Sequence, residues 1–353
     1  MTDTYAKMGV DVGEADRSID KIAEQIRSTW PIRGVGRVML DIGYFANVVE
    51  IGNGLGLAST TDGVGSKTII ADRMKIWNTI GIDCVAMNVN DLICVGATPI
   101  SMQDYIGVQK LDAKIIGEIA IGLAAGAKQA GISISGGEIS QLPDNLVGFD
   151  LVGAAYGLVP LDHIIVGKDV MARDVVIGIE SNGIHANGLK MARQVLLEQA
   201  ALDPMPARTD LLGRSIGEEL LRPTFIYVKA ILDLIAHVPV KALINITGDG
   251  LLNLLRIKTT GIGFTIQQMP PRPPIFDLIQ KHGNLDEATM FQTFNLGLGF
   301  CVVVSEQYVL RALRILETYY KAWPIGYAKH GLDVTINQYG LVGRGKSFAP
   351  IPS

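Results

Sequence analysis

The chain has 353 residues, 48% of them apolar and 19% charged. That balance excludes a disordered chain, and the length suits two domains of ordinary size, each able to bury a core, or one large domain. A net charge of −4 excludes a general electrostatic pull toward nucleic acid or anionic membrane, so a phosphorylated ligand has to be met by local groups.

Residues 14–27 read as an amphipathic helix with Ile19, Ile22, Ala23 and Ile26 on one face. Residues 55–61 read as a strand ending at Asp62. The helix expected over 79–95 is apolar nearly all round, the pattern of a buried helix. The next helix, 112–130, has Asp112 as its N-cap and Gly131 as its stop. A short strand over 132–135 runs into Gly136-Gly137-Glu138, and another covers 148–159. The charged stretch 160–174 then marks a boundary. It gives an N-terminal domain over 1–168, a second domain over 169–345 and a tail over 346–353.

In the second half, strand 175–180 leads to loop 181–188 and a helix to about 200, followed by a polar loop over 203–214. Helices are expected at 216–221 and 224–236. Strand 240–246 leads to Thr247-Gly248-Asp249-Gly250 and a further helix. Strand 261–267 precedes a proline cluster, and a helix runs from Pro274 to near Gly283. Strand 296–304, helix 306–320 and short strands at 323–327 and 332–336 complete the pattern. Strands alternating with helices, with Gly-rich loops in each half, give two α/β or α+β domains. No apolar run reaches spanning length and no signal-peptide pattern is present, so the expectation is a soluble, cytoplasmic protein. Cys84, Cys94 and Cys301 sit in apolar runs without a C-x-x-C pair, as buried thiols in a reducing compartment do.

Asp62-Gly63-Val64-Gly65-Ser66-Lys67 brings a carboxylate, flexible backbone N–H groups and an ammonium together. Asp62 is a candidate for Mg²⁺, the backbone a candidate phosphate cradle and Lys67 a candidate counter-charge. An ordinary Asp-Gly turn between strands is the plainer alternative. On helix 79–95, Asp83, Asn90 and Asp91 fall within about a quarter turn of one another. Carboxylates on so apolar a helix need a metal or a partner: a metal site shared with Asp62 explains them, and so does pairing with a buried Lys or backbone groups. Glu138, after two glycines at a strand end, is a further metal-ligand candidate or a surface carboxylate. His185 sits in a Gly-flanked loop, and the helix N-terminus beyond Asn187 can receive an anion. The plainer alternative is an exposed loop His. Thr247-Gly248-Asp249-Gly250 is a second candidate anion loop. Gly340 to Ser347 matches the Walker A spacing, but Pro350 and Pro352 forbid the helix that mechanism needs, so a terminal turn or tail is expected.

Taken in order, the segments resemble the phosphoribosylformylglycinamidine cyclo-ligase (aminoimidazole ribonucleotide synthetase) family. The resemblance runs from Tyr5-Ala6-Lys7-Met8-Gly9-Val10-Asp11 through Thr61 to Lys67, Thr79 to Asp91, Gly96-Ala97-Thr98-Pro99, Asp104-Tyr105 and Gly136-Gly137-Glu138. It continues through Ser181 to Gly188, Pro223 to Lys229, Ile246-Thr247-Gly248, Arg272 to Phe276 and Phe294-Asn295. It implies a two-domain fold, an N-terminal domain that dimerises through its sheet plus a C-terminal α/β domain, acting as a homodimer on ATP and a phosphoribosyl substrate. The implied reaction is the ATP-dependent, Mg²⁺-assisted ring closure of formylglycinamidine ribonucleotide in de novo purine biosynthesis, by phosphorylation of the formyl oxygen. The implied catalytic residues are His185, Lys67 and Asp91, and the implied metal ligands are Asp62, Asp91 and Glu138. Nucleotide and phosphate contacts would come from Asp62, Gly63, Gly65, Ser66, Lys67, Asn90, Asp91, Gly136, Gly137, Glu138, Asn187, Thr247 and Gly248. The chain departs from the family pattern at Ile139, Phe225, Asn245, Asp249 and Leu296. Those departures raise two alternatives, a diverged kinase or synthetase of the same superfamily and a non-catalytic binding subunit. Selenophosphate synthetases and the hydrogenase-maturation relatives would need a reactive Cys near one terminus, and this chain has none there.

Overall fold

The structure is a computed structural model that describes residues 12–351; the segment Tyr5 to Asp11 that opens the resemblance lies outside them. Helix α1 (Val12–Arg27) leads into a mixed sheet of β1 (Asn47–Gly52), β2 (Leu55–Gly63), β3 (Thr98–Val108), β4 (Ser133–Gln141) and β5 (Phe149–Pro160). Their order is β1-β2-β5-β3-β4, antiparallel except where β4 joins β3. Ala58, Met102, Leu151, Ala155 and Val159 make the inner face of this sheet and are buried. Between β2 and β3 the chain forms α2 (Lys67–Met74) and α3 (Asn78–Ile93), and α4 (Ala113–Ala130) follows β3.

Helix α3 is buried almost all round, as a pattern apolar on nearly every side requires, because the sheet covers one side and α4 the other. The two helices approach closely at Gly81 and Gly122, where a Cβ on either would strike the partner's backbone. The capping of α4 follows the sequence: the Asp112 side chain accepts from the N–H of Lys114 and Ile115, and Gly131 is left-handed.

The second sheet contains β6 (Val175–Glu180), β7 (Val240–Asn245), β8 (Ile262–Ile266) and β9 (Leu298–Val304). It is completed by β10 (Ala322–His330), β11 (Val334–Ile336), β12 (Leu341–Arg344) and β13 (Ser347–Pro350), in the order β13-β12-β11-β8-β10-β6-β9-β7. Around it lie α5 (Leu189–Arg193), which continues as a π-helical turn to Gln199, then α6 (Ile216–Leu220), α7 (Val228–His237), α8 (Pro274–Gly283), α9 (Glu287–Thr293) and α10 (Val309–Leu316). The Walker-like string is a β-hairpin, β12 and β13 turning at the left-handed Gly345. Within the expected tail over 346–353, Ser347–Pro350 supply a strand to this sheet, with Phe348 buried.

Several local expectations change for physical reasons. The strand expected over 132–135 runs on to Gln141, because Gly136, Gly137 and Glu138 pair in register with Gln103, Asp104 and Tyr105. The helix expected from 224 starts at Val228, because the backbone of Thr224, Phe225 and Tyr227 bonds to side chains of α3. The segment after Gly250 is a 3₁₀ helix to Arg256, and the helix expected over 306–320 is α-helical only from Val309 to Leu316. Helix α9 is additional, and the signal for it is Asp286, whose side chain caps Thr289. On α1, Ala23 is buried but Ile19, Ile22 and Ile26 stay exposed. All three cysteines are free and buried, and among the described residues no helix is long and apolar enough to cross a membrane.

Candidate active site between the two sheets

Asp62 closes β2, and helix α3 holds it there through Asn88. The Asn88 Oδ1 accepts from the Asp62 N–H at 3.0 Å, while its Nδ2 donates to the Asp62 carbonyl at 3.2 Å and to the Cys84 carbonyl at 2.9 Å. Asp62 lies opposite Gly153, whose missing side chain leaves room beneath α3 for Asn88 and Cys84. Its carboxylate accepts from the Gly63 N–H at 2.7 Å, yet burial still raises its pKa. Asn88 was not among the expected site residues, because a buried Asn beside an apolar stripe has no distinctive spacing.

One turn further along α3, Asp91 reaches across to the second domain, where Asn245 Nδ2 at the end of β7 donates to its Oδ1 at 2.8 Å. Burial pushes the Asp91 carboxyl up to about 7, against the Asn245 hydrogen bond and with help from the negative charge of Asp62. Both carboxyls are held up chiefly by burial, and Asp91 also feels the charge of Asp62, so a divalent cation would offset the cost of ionising them there. Mg²⁺ is commonly held by one or two carboxylates plus nucleotide phosphates, so Asp62 and Asp91 fit it.

Glu138 does not join them. It lies on β4, three strands from Asp62, a separation of roughly 14 Å at ~4.8 Å per strand. It also pairs with Tyr105 on the outer face of the sheet, whereas Asp62 pairs with the inward-facing Gly153. Among the described residues no three His, Cys, Asp or Glu side chains group closely enough to hold a metal. The expected triad of Asp62, Asp91 and Glu138 is therefore not assembled within one chain. Glu138 instead borders a groove of about 330 Å³ with Gly137, Thr61, Gln103, Tyr105 and Val152.

Lys67, expected on phosphate, is engaged by protein groups. The side chain is fully buried, and Nζ sits 2.8 Å from Asp83 Oδ2. It also donates to the carbonyls of Arg222 at 2.6 Å and His185 at 3.2 Å. Asn90, also expected near the nucleotide, likewise bonds backbone of the second domain, at Phe225 and Tyr227. Within the 62–67 loop the Gly63 N–H goes to Asp62 and the Val64 N–H to the Leu151 carbonyl, which leaves the turn at Gly65 and Ser66. Gly65 is exposed and left-handed, and the Ser66 side chain caps no N–H of α2.

Loop 181–188 is built around Asn295, which donates to the carbonyls of Gly183 and Ile184 and accepts from Ser181 Oγ. His185 is buried with φ +65°, a rare conformation for a residue with a side chain. Burial, with the charges of Lys67 and Arg222, drives its pKa down to about 3, so the imidazole is neutral, and Nε2 has no hydrogen-bond partner. Gly299 makes room beside it: a Cβ there would stand 2.7 Å from the His185 Cε1 and inside the Tyr227 hydroxyl. Asn187 is half-buried in the same loop, and its Oδ1 is the nearest neighbour to the Cβ position of Gly248. Thr247 Oγ1 accepts from Asn253 Nδ2. The Asp249 carboxylate, which would repel a phosphate, is taken by Arg256 at 3.0 Å. The Arg256 guanidinium lies over the Phe45 ring at 5.1 Å, and its charge favours the ionised form of Asp91.

The chain matches the family models for AIR synthase related protein, the N-terminal domain over residues 43–159 and the C-terminal domain over residues 173–337. The phosphoribosylformylglycinamidine cyclo-ligase of Thermococcus gammatolerans is 43% identical over 341 residues, 96% of this chain and 99% of its own. That of Pyrococcus furiosus is 44% identical over 340 residues, 96% and 98% of the two chains. The solved structure of AaThiL complexed with AMPPCP and TMP shares the fold, with a TM-score of 0.65 at 16% identity over 93% of this chain and 95% of that one. With both domains matched and relatives aligned over nearly their full length, the chain belongs to the phosphoribosylformylglycinamidine cyclo-ligase family.

Proposed function

We propose that this protein uses ATP to close the imidazole ring of aminoimidazole ribonucleotide from formylglycinamidine ribonucleotide, as a cytoplasmic enzyme of purine biosynthesis. The observation that carries the reading is similarity to cyclo-ligases over 96% of the chain. The formyl oxygen attacks the γ-phosphorus of ATP and ADP leaves. The ring-closing nitrogen then attacks the activated formyl carbon, loses its proton, and the carbon–oxygen bond breaks to release phosphate. One ATP is converted to ADP and phosphate for each ring closed. Mg²⁺, when bound, would neutralise phosphate charge, with Asp62 and Asp91 as its protein ligands.

The chain's own contribution is position and charge. The exposed Gly65 turn and the N-terminus of α2 offer backbone N–H groups to phosphate oxygens. Arg256 supplies the positive charge that the sequence assigns to Lys67. His185, neutral down to about pH 3, is too weak a base to drive proton removal and serves as a fixed hydrogen-bonding group through Nε2.

The same reading makes the protein a homodimer joined through the outer face of the N-terminal sheet. Tyr105 is exposed on that face beside Glu138, which supports it. Glu138 would then serve a nucleotide near the dimer interface, which accounts for its distance from Asp62. With purified protein, formylglycinamidine ribonucleotide, ATP and Mg²⁺, ADP and aminoimidazole ribonucleotide are expected in equal amounts. ADP formed without the imidazole product would overturn the reading in favour of another kinase of the fold, and no nucleotide binding would favour a binding subunit.

A further inference from the structure

The loop that reads as a phosphate loop ends in a lysine with no donor left for phosphate. An ammonium has three N–H donors. Around Lys67 Nζ stand three oxygens: Asp83 Oδ2 at 2.8 Å, the Arg222 carbonyl at 2.6 Å and the His185 carbonyl at 3.2 Å. Both charged side chains are fully buried. Asp83 uses its other oxygen to accept from the Thr224 N–H at 2.8 Å and the Thr224 hydroxyl at 2.6 Å. On the same helix, Asn90 accepts from the Tyr227 N–H at 2.9 Å and donates to the Phe225 carbonyl at 2.7 Å. Three polar side chains of the N-terminal domain thus hold the backbone of 222–227 and of His185 in the other domain.

Stability alone does not call for such a pair, since well-packed apolar residues often replace a buried ion pair without loss. What the pair does supply is orientation. The carbonyl it grips belongs to a left-handed residue, and the ring nitrogen of that residue is buried with nothing bonded to it. Turning the His185 peptide would break the contact with Lys67 and swing the imidazole away from its present place. We propose that Lys67 and Asp83 are positioning residues: they touch no ligand and instead fix the His185 loop against the Asp62 and Asp91 half of the site. The inference rests on the cyclo-ligase reading.

The test compares wild type with the isosteric pair Lys67→Met/Asp83→Asn, which removes both charges and keeps an acceptor for Thr224. Melting temperature, Mg-ATP Kd by calorimetry, and kcat and KM for ring closure are measured. The double variant is expected to fold, to bind Mg-ATP within about threefold of wild type and to lose about 100-fold in kcat, the scale of a misplaced reacting group. Wild-type kcat in the double variant would overturn the proposal and leave a purely structural pair. A rise in Mg-ATP Kd matching the loss of rate would overturn it in the other direction, making Lys67 a phosphate ligand. If the double variant does not fold, Thr224→Val, which deletes only one bond to Asp83, gives the answer. A several-fold loss in kcat at unchanged Kd upholds the proposal, and unchanged kcat refutes it. Wild-type protein that closes no ring would instead remove the reading beneath the inference, so the two failures are distinct.

Discussion

Replacing Asp91 by Asn is expected to lower ring closure by about 10² to 10³-fold, the scale of losing one group that faces developing charge in an active site, while raising stability above pH 7. Both halves follow from where Asp91 sits. It faces Asn245 across the domain boundary, buried, with the charge of Asp62 nearby, and its pKa stands at about 7 rather than 3.8. Between about pH 4 and pH 7 the unfolded chain releases this proton and the folded chain keeps it. The stabilising contribution is therefore full at low pH and lost as pH rises toward 7. An Asn there cannot ionise, and its carbonyl oxygen still accepts from Asn245. The melting temperature of the variant should exceed that of wild type at pH 8, with the gap shrinking as pH falls and closing only near pH 4. Wild-type kcat/KM should climb through pH 7 as the carboxylate forms, a limb the variant lacks. A variant that keeps more than about a tenth of the activity would show that Asp91 does not serve the site.

Asn88→Ala is expected to act through Asp62. The amide of Asn88 holds both the N–H and the carbonyl of Asp62, and the side chain is fully buried. Truncation leaves two backbone groups short of partners at roughly 1–3 kcal/mol each, so a loss of about 3 kcal/mol in urea unfolding is expected. Releasing the end of β2 should also weaken Mg-ATP binding by about tenfold, or ~1.4 kcal/mol. Loss of stability with unchanged Mg-ATP affinity would place Asp62 outside the nucleotide site.

The fold was legible where one local rule decides the outcome. The apolar run of α3 admits only a buried helix, and Asp112 and Gly131 bracket α4 by capping chemistry alone. Asp91 stands out because a carboxylate on so apolar a helix needs a partner, and Asp62 because a Gly-rich turn follows it. What stayed hidden depends on which segments meet. An ammonium can be satisfied by phosphate oxygens or by a carboxylate and backbone carbonyls together, so the letters around Lys67 cannot say which it finds. Alternation along β4 puts Glu138 on one face, but only the strand order β2-β5-β3-β4 sets its distance from Asp62. The family departures at Asn245 and Asp249 likewise make sense only in space. One bonds Asp91, and the other pairs with Arg256.

The most direct measurement follows the formyl oxygen. Substrate carrying ¹⁸O at that position, turned over with ATP and Mg²⁺, should deliver its label to inorganic phosphate, one labelled phosphate per imidazole ring formed. Label appearing in water, or phosphate formed without label while the ring closes, would contradict activation by phosphoryl transfer.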